Sequence, residues 1–182
     1  MISFKKVDDL EKLLREEISV QSELPLNRVL NSLSLYGTEL DTYLMENIYV
    51  SIEQPDTLVL FELTSRESNS DVSMNIQNED NFITYDKAFR LKLIMYGSSS
   101  SDVALKLVAR FRTEEVRNNL YEKGIYLEKV EDPYILNEYK NETMWLRNDV
   151  NIDIAVEFKI QPITKNSIFS NLSELNIKEE EK

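Results

Sequence analysis

The chain has 182 residues, which predicts one domain long enough to bury a sizeable core. Its 21 basic and 33 acidic residues leave a formal charge of −12, and it has neither histidine nor cysteine. Those zeros exclude Ser-His-Asp and Cys-His triads, thiolate chemistry, disulfides and Cys/His zinc sites, and the acidity argues against a basic nucleic-acid footprint.

The start, Met1-Ile2-Ser3-Phe4-Lys5-Lys6, is charged and lacks the apolar core of a secretory signal. No stretch approaches the ~18 apolar residues of a membrane span. The expected setting is therefore a cytoplasm, or a particle assembled in one. Val7, Leu10, Leu13, Leu14 and Ile18 recur at steps of three and four and predict a first helix. Gln21 to Asp41 carries Pro25, Asn27, Asn31 and Gly37 and reads as irregular, with room for a short strand or helix. Ile48, Val50 and Ile52 alternate with Tyr49, Ser51 and Glu53 and predict a strand. Gln54-Pro55-Asp56 signals a turn. The apolar run Leu58 to Leu63 predicts a strand covered on both faces. Ser65 to Ser73 is polar without periodicity and reads as an exposed loop. Phe82 to Tyr96 predicts a long strand, with Phe89, Leu91, Leu93 and Met95 on one face and Arg90, Lys92, Ile94 and Tyr96 on the other.

Gly97 to Asp102 breaks the pattern. A helix through Val103, Leu107, Val108 and Phe111 follows, with Ser100 or Ser101 expected as its N-cap. A second helix is expected to start at Thr113, with Glu114 and Glu115 in its first turn and Gly124 just past its end. Ile125, Leu127 and Val130 suggest a strand, as do Ile135 to Tyr139. Met144, Leu146, Val150, Ile152, Ile154, Val156, Phe158 and Ile160 fall on even positions, predicting a strand with one buried and one wet face. Its length predicts a bulge near Asn148. The order of elements fits an α+β domain over residues 1–160, with a mixed or antiparallel sheet and helices packed on one face. Residues 161–182 form a polar C-terminal tail expected to order on assembly or stay extended.

Candidate chemistry is sparse. Gly37, Gly97 and Gly124 are too far apart to build a phosphate-cradling loop. Asp149, Asn151 and Asp153 share a strand face, where oxygen ligands at this spacing either hold a hard cation or simply meet water. An EF-hand would need a Gly and a Glu that this stretch lacks. Asp132 and Glu142 are the carboxylates that a glycosidase-like pair would call on, though nothing singles them out. Arg110, Arg112 and Arg117 with Lys106 form either an anion or acidic-partner site or the solvated side of a helix. Trp145 and Arg147 share the odd face of the last strand, where Trp145 either plugs a second small core or anchors an interface.

The region from about Phe82 to Ile160 resembles the tail-terminator, or neck, proteins of tailed bacteriophages and tail-like particles. The likeness lies in a strand closing in Tyr96-Gly97 and a helix reading Ala104-Leu105-Lys106-Leu107-Val108-Ala109-Arg110-Phe111-Arg112. It continues through Arg117-Asn118-Asn119-Leu120, Gly124, Asp132-Pro133 and the strand Met144-Trp145-Leu146-Arg147-Asn148-Asp149-Val150-Asn151-Ile152-Asp153-Ile154. The resemblance implies a non-catalytic virion protein without cofactors, assembled in a host bacterial cytoplasm. Its subunits form a ring, usually a hexamer, that caps the last tail-tube ring and stops polymerisation. The ring docks the tail to the head-side connector or stopper, and meets the sheath protein where the tail contracts. DNA would pass the lumen without being held. Neighbour contacts are expected on the polar loop Ser65 to Ser73 and the long terminal strand, and Arg66, Glu67, Arg110, Arg112, Trp145 and Arg147 are the candidate interface residues, not carried over from the family. Two rivals are another neck component, such as a head-completion or stopper protein, and a small carboxylate-dependent hydrolase.

Overall fold

The alternation from Met144 to Ile160 organises the molecule. In a computed structural model, which describes residues 4–32, 42, 57–66, 75–77, 82–140 and 143–160, it becomes the 18-residue strand β7 (Thr143–Ile160). Before it come helix α1 (Val7–Ser22), a 3-10 turn (Leu26–Arg28), and strands β1 (Val29–Asn31), β2 (Leu58–Ser65), β3 (Asn75–Gln77) and β4 (Phe82–Tyr96). Then follow helices α2 (Ser100–Phe111) and α3 (Glu114–Glu122) and strands β5 (Ile125–Val130) and β6 (Tyr134–Lys140). The sheet runs β1-β2-β4-β7-β5, with β3 added to β4 and β6 added to β7. β1 lies parallel to β2 and every other pairing is antiparallel, so the sheet is mixed.

Apolar side chains on one sheet face meet the three helices of the described residues. Leu10, Leu14 and Ile18 of α1, Val103, Leu107 and Phe111 of α2, and Leu120 of α3 join Phe61, Leu91, Leu93, Ile152 and Ile154 in one core. The fold is α+β with its helices on one face, as the element order predicts. A salt bridge from Lys123, at the end of α3, to the buried Glu17 of α1 ties two helices together. Of the run Leu58 to Leu63, Leu58 to Phe61 is buried on both sides as predicted, while Glu62 and Leu63 are only half-buried. Its odd members join the helix-side core, while Leu58 and Leu60 form a smaller cluster with Tyr96 and Trp145 on the opposite face. Phe4 adds a bridge at the far end of β7, exchanging backbone hydrogen bonds with Glu157 and Lys159.

Two local expectations change. The bulge near Asn148 is absent: β4 pairs with β7 from Ile83↔Ile160 to Tyr96↔Arg147 without a shift. β7 is held along its other edge too, first by β6 and then by β5, and that double ladder leaves no room for an extra residue. The irregularity falls instead on the short strand β5, between Leu127 and Lys129. The N-cap of α2 is Ser99, whose side chain makes no capping bond. The hydroxyls of Ser100 and Ser101 instead accept from Asn148 Nδ2, at 2.9 and 3.1 Å. Thr113 does cap α3, accepting from Val116 N at 3.4 Å, and Gly124 follows with φ 82°. The stretch from Gln21, read as irregular with room for a short strand or helix, contains both the 3-10 turn and β1. The strand expected at Ile48 to Ile52, residues 67–73 of the polar loop and the tail all lie outside the described residues.

Candidate functional site

The sheet face away from the helices carries the even residues of β4 and the odd residues of β7. Alternation predicts that this face is wet. Instead Asp149 is fully buried and Asp153 nearly so. Cross-strand register explains it: Asp149 sits opposite Ile94, one residue pair from Lys92, and Asp153 sits opposite Arg90. Arg147 grips Asp149 with two bonds of 2.7 Å, Nε to Oδ1 and Nη2 to Oδ2. Lys92 Nζ stands 3.4 Å from Asp149 Oδ2. Glu138 Oε2 accepts from Tyr96 Oη at 2.7 Å and from Arg147 Nη1 at 3.2 Å. The Arg147 guanidinium also lies over the Tyr96 ring. Burial, then the Glu138 bond, pushes the Tyr96 phenol well above its ordinary range. The bond to Asp149 holds Arg147 firmly protonated.

A second lattice surrounds Asp153. Arg90 binds it through Nε at 2.9 Å and Nη2 at 3.3 Å, and Arg66 Nη1 approaches at 3.2 Å. Arg66 also reaches Glu128 at 3.1 Å. Asn151, between the two aspartates, donates to Glu131, whose carboxyl is held below its usual range by Lys129 and Asn151. The Asp149–Asn151–Asp153 row is therefore neither solvated nor turned to a cation. Its charges are matched within the sheet. Among the described residues, no group of three acidic side chains is arranged to hold a metal ion.

The candidate residues do not converge. Arg66 belongs to the Asp153 lattice, and Glu67 lies outside the described residues. Trp145 is 6% exposed and fills the second small core. Arg147 sits beside it in the Asp149 lattice. Arg110 is on the other side of the sheet, donating to the carbonyls of Val20 and Gln21 and paired with Glu23. It thereby holds the end of α1, where Glu23 takes a left-handed φ of 60°. Arg112 reaches the Val130 carbonyl and Asp132, each at 2.8 Å. Lys106 pairs with Glu23, and Arg117 donates to the Leu127 carbonyl at 2.7 Å. The basic cluster thus fastens α1, β5 and the strand connection to the helices. Asp132 is largely exposed, and Glu142 lies outside the described residues.

Sequence reasoning missed the β6–β7 hairpin as a surface. Tyr134, Ile135, Leu136, Tyr139, Met144 and Leu146 are all exposed. Register sorts them. Ile135 opposes Asn148, Asn137 opposes Leu146 and Tyr139 opposes Met144 on the helix side. Tyr134, Leu136 and Glu138 oppose Asp149, Arg147 and Trp145 on the ion-paired side. Asn148 is the last even side chain held by α2; beyond it the apolar positions stand open. The one available signal was the apolar content of Tyr134-Ile135-Leu136, on a strand followed by a second alternating strand.

Elsewhere, a shallow cavity of about 210 Å³ is lined by Asp86, Tyr121, Tyr126 and Glu157 around Gly124. A neighbouring groove shares both tyrosines and adds Arg117, Asn118 and Leu127. Among the described residues, no helix is long and apolar enough to cross a membrane. No protein-family model matches the chain, and no curated protein is significantly similar to it.

Proposed function

We propose that this chain is a non-catalytic assembly subunit, a tail terminator that forms a ring on the end of a tail tube and links it to the head-side connector. The observation that carries the reading is the β6–β7 hairpin, with six large apolar side chains at the surface. Exposed apolar side chains grouped on one element mark interaction sites. The ionisable groups on the sheet face away from the helices support a structural role, because the described carboxylates Asp149, Asp153 and Glu131 are each held in ion pairs or hydrogen bonds. In this reading the ring is part of the virion and needs no cofactor. Its partners are its own copies, the tube protein, the connector and, in a contractile tail, the sheath.

The test adds the purified full chain to polymerising tube subunits and images the products by electron microscopy. Tubes that stop growing and carry a ring at one end are expected. Tubes of unchanged length with bare ends defeat the reading. Binding to the portal-side assembly without any effect on tubes makes the chain a stopper instead.

A further inference from the structure

We propose that the helix-side face of the β6–β7 hairpin is the surface through which one copy of this chain binds the next. The inference names the subunit contact that the ring reading requires, and it rests on that reading. Four side chains make the face: Ile135 and Tyr139, each 67% exposed, with Met144 at 59% and Leu146 at 50%. Tyr139 and Met144 are direct cross-strand partners, and Leu146 is the next even residue along β7. Together they present about 500 Å² of accessible surface, near the largest apolar patch of an ordinary monomer. Covered by an equal area of a second molecule, they would bury about 1,000 Å², the lower bound for a specific interface.

Charge selects the occupant. At −12, two copies repel one another over most approaches. The helix-side positions of the hairpin, 135, 137, 139, 144, 146 and 148, hold no charged residue. The charged side chains described on the hairpin, Glu138, Arg147 and Asp149, lie on the other side and are matched internally. In a ring the next copy meets this face with a different surface, and the described side chains on this side of the contact bury no carboxylate. Nucleic acid or an acidic peptide would find no cation among them. The hairpin is also set before it binds, by the grip of Arg147 on Asp149 and the anchoring of Asn148 to α2, so little ordering entropy opposes association.

The experiment measures self-association of the full chain by analytical ultracentrifugation across a concentration series. The variant Tyr139→Ser/Leu146→Ser is compared with Leu105→Ser, an equally exposed apolar site on α2. Circular dichroism and a thermal melt check that each variant is folded. The wild type and Leu105→Ser should associate alike, and the hairpin variant about tenfold more weakly or worse. Because the chain has no cysteine, Leu146→Cys supplies a single thiol. That thiol should resist maleimide in the oligomer and react once Tyr139→Ser is added. An oligomer that ignores the hairpin changes, with the introduced thiol still reactive, overturns this inference and leaves the ring reading standing. A wild type that stays monomeric alone and with tube subunits present, and binds none of them, overturns both. A hairpin that captures tube subunits without self-association makes the face a tube contact and overturns the inference alone.

Discussion

From Val150 to Phe158 the even side chains of β7 lie beneath the helices; at Met144 and Leu146 the same alternation runs out from under them. Both ends of the strand carry the same pattern in sequence. One end is core and the other is surface. Periodicity states which side chains share a face. It does not state whether anything covers that face. The odd face repeats the lesson in reverse, because positions that should be wet hold buried, ion-paired aspartates.

The sharpest way to break this comparison is Arg147→Met. It leaves the fully buried Asp149 carboxylate with only Lys92 of its two cations. A loss of about 3–5 kcal/mol in urea unfolding is expected. Arg147→Met/Asp149→Leu should recover most of it, since an apolar pair can replace a buried ion pair. A single variant as stable as wild type would mean that Asp149 reaches water.

Next comes Ile154→Ala, at the covered end of β7. Ile154 is fully buried, so a loss of about 2–5 kcal/mol is expected from the vacated volume. Leu146→Ala, on the same face at the open end, should stay within about 0.5 kcal/mol for the monomer. Equal losses at the two sites would erase the distinction between core and hairpin.

Tyr96→Phe probes the junction of the two ends. It removes one hydrogen bond to Glu138, at a cost of about 1 kcal/mol near neutral pH. The sign of its pH effect follows from a raised folded-state pKa against an unfolded value of 10.0. The stabilisation is fully present below about pH 10 and falls away as pH rises beyond it. Urea titrations across that range should show a steeper alkaline loss in wild type than in Tyr96→Phe.

The smallest effect belongs to Glu23 at the end of α1. Lys106 first, then Arg110, hold its carboxyl below the usual range through hydrogen bonds. Its contribution is full above about pH 4.5 and is lost as pH falls below that value. Glu23→Gln should flatten the acid limb of a stability curve slightly, because the group is exposed and screened.

Much of the fold was legible. β4 closes at Tyr96 because Phe89, Leu91, Leu93 and Met95 alternate with Arg90 and Lys92 up to the break at Gly97. α3 begins after Thr113 because a capping hydroxyl and two glutamates announce it. What stayed hidden was non-local. The burial of Asp153 depends on Arg90, 63 positions earlier, landing directly across the ladder. The place where the helix layer stops depends on Asn148 finding Ser100 and Ser101. Trp145 read equally well as core or interface because its neighbours Leu58 and Leu60 come from a distant strand. Register of this kind is a property of the assembled sheet, not of any window of sequence.

The central position of β7 also bears on how the molecule is made. β7 joins β4 to β5 and β6, and Phe4 bridges to its far end at Phe158. Every strand that it unites is synthesised before it. Until the ribosome has passed Ile160, β4 and β5 present open edges and the helices lack half of their floor. Contacts over such sequence separations close slowly. A nascent chain halted before β7 should therefore be a client for chaperones rather than a folded intermediate, and the sheet should form in one late cooperative step.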